Sequence, residues 1–164
     1  MKKLQPIYAV LLILLLLYSF SGNPPNANTG APSEGNCTNC HTPGNANFDG
    51  GVTLQGLPEV IIPNTTYNLS VVTNVSTGSP ARAGFQMVIL DNANNNAGNF
   101  SNTGNNSRVM SQGGRNYFEH DGALSFNNTD TVAWTVEWTA PNTIASDSIK
   151  VYINSILGLS LIHI

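Results

Sequence analysis

From Gly51 onward, apolar residues recur in short β-branched and aromatic runs separated by turn residues, and no stripe with a 3.6-residue period appears in that stretch. The runs occupy 52–54, 67–75, 83–90, 108–111, 117–120, 132–138 and 148–156. In TYNLSVVTNV, Tyr67, Leu69, Val71 and Thr73 alternate with Asn68, Ser70 and Asn74, with Val72 as the one break. TVAWTVEWTAP does the same: Val132, Trp134, Val136 and Trp138 fall on one side of a strand, and Thr131, Ala133, Thr135 and Glu137 on the other. Each such strand buries one face. Gly113-Gly114, between the runs at 108–111 and 117–120, predicts a tight hairpin turn. Seven short strands at this spacing predict an all-β fold, an immunoglobulin-like antiparallel β-sandwich over 51–157. The Cys-Trp-Cys pattern of true immunoglobulin domains is not present.

Ahead of the strands the pattern changes twice. Two lysines, an apolar run over 7–17 and small residues at Ser19 and Ser21 predict a secretory signal peptide over 1–21. The run is shorter than the roughly 20 residues a membrane span needs, and Gln5 and Pro6 interrupt its start. Residues 22–36, rich in Pro, Gly and Asn, predict a flexible linker. The long polar stretch 91–107 lacks the acidic ladder and the sixth-position glycine of a calcium loop, so it reads as a turn.

Composition adds to this picture mainly through charge. Of 164 residues, 41% are hydrophobic but only 9% are charged, against roughly 25% in an average soluble domain. Loss of Lys2 and Lys3 with the signal peptide leaves four basic and nine acidic side chains, net −5, which argues against nucleic acid or an anionic membrane as partner. Export places the chain in the periplasm, on the outer surface or outside the cell, where thiols meet an oxidising environment.

Both cysteines lie in EGNCTNCHTP, three residues apart, with a histidine after the second. C-x-x-C-H is the attachment signature of c-type haem: Cys37 and Cys40 form the two thioethers and His41 supplies the proximal nitrogen to iron. Three other chemistries compete for these residues. A Cys37–Cys40 disulfide closes so small a loop that it constrains the unfolded chain little. A thioredoxin-like redox pair belongs in a βαβ setting that the pattern does not supply, and structural zinc needs a fourth ligand with no second cysteine pair to provide it. For a haem, the other axial position has four protein candidates: His120, His163, Met87 and Met110. Met87 lies within an apolar strand and reads as packing. His120, with Met110 as the weaker alternative, is the distal candidate, and Arg82, Arg108 and Arg115 are candidate partners for the propionates.

Taken together, NTGAPSEGNCTNCHTPG, GVTLQGLPEVIIPNTTYNLSVVTNV, RAGFQMVILDNANNNAGNF, NYFEHDG and VAWTVEWTAP resemble the choice-of-anchor V domain proteins of bacteria, which are similar to the Reeler domain of extracellular proteins. The resemblance spans about residues 30–156. It implies a secreted sandwich with one C-x-x-C-H motif over 37–50, and it maps onto Cys37, Cys40 and His41, onto Gly84-Phe85-Gln86 in a core strand, and onto His120. It also implies a C-terminal anchoring or sorting segment, so the expected membrane link is the signal peptide or a lost C-terminal anchor. Residues 158–164, GLSLIHI, depart from the family and read as translated adapter DNA, which discounts His163 and predicts a missing last strand with an unpaired sheet edge.

The expected function is that of an exported mono-haem c-type cytochrome-like domain, carrying one covalent haem c for electron transfer or sensing. Its partners would be an unidentified redox protein and surface-anchoring machinery. No enzyme is expected, since G-x-S-x-G and H-E-x-x-H are not present. The alternative is a surface adhesion or interaction sandwich whose cysteines form only a small clip.

Overall fold

A computed structural model describes residues 22–41, 47–144 and 148–159. Two antiparallel sheets pack face to face, which gives the expected all-β sandwich. The first sheet runs β1 (Asp49–Gln55), β2 (Thr66–Thr77), β8 (Thr131–Thr139), β4 (Asn99–Ser101). The second runs β5 (Ser107–Gln112), β6 (Arg115–His120), β3 (Arg82–Leu90), with β9 (Lys150–Gly158) along the other side of β3. The two-residue β7 (Leu124–Ser125) pairs with the start of β3.

Alternation on β2 and β8 works as the sequence predicts. Tyr67 faces Trp138, Leu69 faces Val136, Val71 faces Trp134 and Thr73 faces Val132, all on the inner side. From the opposite sheet, Phe85, Met87, Ile89 and Phe118 fill the same core. Phe85 packs on Trp134 with ring centroids 4.6 Å apart and meets Phe118 edge-on at 4.8 Å. Met87 is fully buried here, which makes it a packing residue.

All seven predicted strands exist, each extended or shifted by one to three residues. β4 and β7 are the additions. With three and two residues they are too short to show an alternation, and only pairing to β8 and β3 makes them strands. The hairpin at Gly113-Gly114 forms with φ of 59° and 81°, the doubly left-handed turn that glycine adopts freely.

The segment 22–36 corrects the sequence reading. Expected as a flexible linker, it instead lies as a strap across the outer face of the second sheet, and Thr29 and Ala31 are buried there. Ala31 forms a second apolar cluster with Val88, Leu90 and Tyr117. This explains why β3 is buried on both faces although the sheet has only one sandwich partner. Residues 1–21, expected as a signal peptide, and His163 with the rest of 160–164 lie outside the described residues. Gly158, assigned by sequence to the non-native tail, is the last residue of β9 and sits opposite Arg82. Among the described residues, β9 pairs with β3 alone, and no helix is long and apolar enough to cross a membrane.

Candidate functional site

The cysteine motif is placed by the strap, and the strap is held by buried polar groups. Gln86 accepts a hydrogen bond from the Asn28 amide (2.7 Å) and donates to the Pro25 carbonyl (3.2 Å) and to Glu119 (2.7 Å). Glu119, fully buried, is neutralised by Arg108 at 2.7 Å. Nearer the cysteines, the Glu34 carboxylate accepts from Arg115 (2.5 Å), the Tyr117 hydroxyl (2.8 Å) and the Thr29 hydroxyl (2.5 Å). Burial pushes Glu34 upward, but these donors outweigh it and hold its pKa below the ordinary carboxylate value. On the other side of the same contact, burial and Glu34 push the Tyr117 phenol up to about 12.

Three residues past Glu34 the chain winds into a single 3₁₀ turn, Cys37–Asn39. Asn36 caps it, its side chain accepting from the Thr38 amide at 2.9 Å. The Cys37 carbonyl accepts from the amides of Cys40 (3.4 Å) and His41 (3.0 Å). Cys37 opens the turn and is half-buried, and Cys40 caps its end and is exposed. Both are free thiols. Burial pushes the Cys37 thiol above its ordinary pKa, the opposite of what an activated redox cysteine needs.

This turn borders a cleft of about 730 Å³ that opens between the edges of the two sheets. Cys37 and His41 line it on one side, Phe48 and Val52 on another, and Thr73 and Ile156 line the rest. Its walls are mainly β9 and the start of β1, both edge strands, which is why a gap exists here. Its size is within the usual range for small-molecule and cofactor sites.

His120 lies at the end of β6, with its ring on Gly84 of β3. A Cβ at Gly84 would stand 2.6 Å from Cε1 and 2.9 Å from each ring nitrogen, so only glycine leaves room for the imidazole. Nδ1 is 2.9 Å from the Phe85 carbonyl oxygen and 3.0 Å from the Phe85 amide nitrogen. Burial pushes His120 below its ordinary pKa; the Phe85 contact and the charges of Glu119 and Asp121 oppose this, while His41 adds to it. His41 and His120 are thus within electrostatic reach of each other.

The other sequence candidates are placed elsewhere. Met110 pairs with Tyr117 on β5, three strands from β9 and hence about 14 Å across the sheet from the cleft wall, so the structure does not bring it to His41. Arg108 and Arg115 are engaged with Glu119 and Glu34. Arg82, beside Gly158 at the cleft's end, donates to the Ala123 carbonyl at 3.2 Å.

No family model and no curated protein sequence matches the chain. Among solved structures it is similar to the reeler domain of human F-spondin (fragment 1), at 17% identity and a TM-score of 0.43, over 68% of this chain and 76% of that one. It is also similar to the Reelin-N domain of F-spondin, at 18% identity and a TM-score of 0.44, over 68% and 72%. A second fragment of the human F-spondin reeler domain gives 15% identity and a TM-score of 0.39, over 66% and 91%.

The residues at the cleft fit the requirements of a covalent haem. Two unpaired thiols lie at the two ends of one turn, an exposed imidazole follows them directly, and Cys37 and His41 line an open cavity, with Cys40 outside its lining. The strap anchors Thr29, Glu34, Gln86 and Glu119 were missed by sequence reasoning. Their only signal is that Gln86 and Glu119 are polar residues inside otherwise apolar runs.

Proposed function

We propose that this protein is an exported β-sandwich interaction module, and that the cleft lined by Cys37 and His41, next to Cys40, is a haem c attachment site. The first part is the broader reading. A chain with only 9% charged residues and a loop that exposes Val60 and Ile62 supports contact with a partner, and the family resemblance in the sequence supports export. The haem part is carried by a single observation: free Cys37 and Cys40 at one turn, with Cys37 and His41 lining a cleft of about 730 Å³.

A bound haem would supply one-electron chemistry at its iron. The chain's own residues do the positioning. Cys37 and Cys40 would hold the ring and His41 the iron, Phe48, Val52 and Ile156 keep that side of the cleft apolar, and the strap fixes the turn against the sandwich. The protein would act as a carrier or sensor rather than as an enzyme, with a redox protein as partner and surface anchoring supplied by other machinery.

The deciding experiment is a visible spectrum of protein matured in a periplasm that attaches haem. A Soret band that survives acid-acetone extraction is the expected result. A colourless product under those conditions removes the haem and leaves the interaction module with a thiol clip.

A further inference from the structure

We infer that His120, presented by Gly84 and the Phe85 backbone, is the second axial ligand of the iron held by His41. This rests on the haem reading above. Three features of the molecule converge on it.

First, the His120 ring is fixed in a way that suits ligation. Histidines that bind a metal through one ring nitrogen commonly donate the other N–H to a backbone carbonyl, which sets the tautomer and the ring plane. Nδ1 of His120 sits on the Phe85 backbone, 2.9 Å from its carbonyl oxygen and 3.0 Å from its amide nitrogen, so it can donate to the first or accept from the second. In the tautomer that donates to the carbonyl the lone pair is on Nε2, the form ligation needs, and Nε2 has no hydrogen-bond partner among the described residues.

Second, β3 keeps a place open for that ring. Gly84 has an ordinary strand conformation, so its glycine is not required by the backbone; it is required by the imidazole, three of whose atoms would lie within 3 Å of an added Cβ. The β6–β3 ladder is registered only over Gln86–Val88, and His120 lies at the point where backbone pairing gives way to its side chain.

Third, the topology places this ring one strand from the cleft. Gly84 pairs with Ile156 of β9, and Ile156 lines the same cavity as Cys37 and His41. Met110 has no such position.

The test uses the full chain with haem attached in the periplasm, and each outcome has a distinct meaning. Ferric wild type is expected to be low-spin, and its ferrous form to resist carbon monoxide. His120→Ala should retain covalent haem, turn high-spin, bind carbon monoxide, and recover the low-spin spectrum when imidazole is added. Gly84→Ala, which leaves His120 in the sequence but takes its place, should shift the spectrum in the same direction. Wild type labelled with ¹⁵N-histidine needs no variant: two hyperfine-shifted imidazoles are expected, and a single one overturns the assignment. Covalent haem with identical low-spin spectra in wild type and His120→Ala also overturns it, while leaving the haem reading intact. A wild type that takes up no haem overturns the haem reading itself, and this inference with it.

Discussion

Replacement of Glu34 by alanine tests whether the strap is a built part of the domain. The Glu34 side chain is 2% exposed and accepts from Arg115, Tyr117 and Thr29; Arg115 is 17% exposed. Removing one partner of a fully buried ion pair costs about 3–5 kcal/mol, because the other charge is stranded. Arg115 is less trapped than that, since it also donates to the carbonyls of Pro32 (3.2 Å) and Asn94 (3.1 Å) and keeps some water. The expected loss is therefore about 2–3 kcal/mol, or about 30- to 150-fold in the strap's closing equilibrium. Because the strap packs on the outer face and not in the sandwich core, the loss should be local. Hydrogen exchange reads it directly: the amides of Gly30, Glu34 and Gly35, bonded within the strap at 2.8–2.9 Å, should exchange faster by that factor, while those of β8 stay slow. Strap amides that exchange at the wild-type rate would refute the latch. Acceleration of β8 by the same factor would refute its independence from the core.

Other predictions follow from the same geometry. Since the folded pKa of Glu34 is depressed, its contribution is present above the unfolded carboxylate value near 4.3 and is lost as pH falls from there through the folded value; strap protection should drop in that window in wild type and be flat in Glu34→Ala. Trp138→Phe strands the Ala97 carbonyl, which now accepts from the indole nitrogen at 3.0 Å, whereas Trp134 Nε1 is buried without a partner among the described residues. Urea unfolding should show Trp138→Phe to be less stable than Trp134→Phe by about 1–3 kcal/mol, and equal losses would contradict the role of that bond. At the β5–β6 turn an added side chain meets nothing within 4 Å, so only conformation matters. Gly113→Asn should be nearly neutral and Gly114→Val should cost about 1–2 kcal/mol, measured by thermal unfolding.

Much of this molecule is legible in its residues. Alternation on 67–75 and 132–138 places Leu69, Val71, Trp134 and Trp138 in the core, because a period of two leaves a strand only one face to bury. Gly113-Gly114 marks its hairpin, and Cys37, Cys40 and His41 are adjacent in sequence, so their chemistry needs no fold to be noticed. The strap was not legible, since a segment rich in Pro, Gly and Asn has no periodicity and its hold depends on Gln86, Arg115 and Tyr117, 58 to 83 residues away. Arg115 and Arg108 likewise read as candidate propionate partners until tertiary structure paired them with Glu34 and Glu119.

Sequence alone therefore determined the all-β class, the core strands and the position of the cysteine motif, because these depend on local spacing. Tertiary structure decided what the motif faces: a cleft between two edge strands, with the His120 ring on the strand next to its β9 wall and Met110 on the opposite edge strand of that sheet. Candidates that are equivalent along a chain become unequal once strand order is set, because each intervening strand adds nearly 5 Å of separation that no side chain can recover.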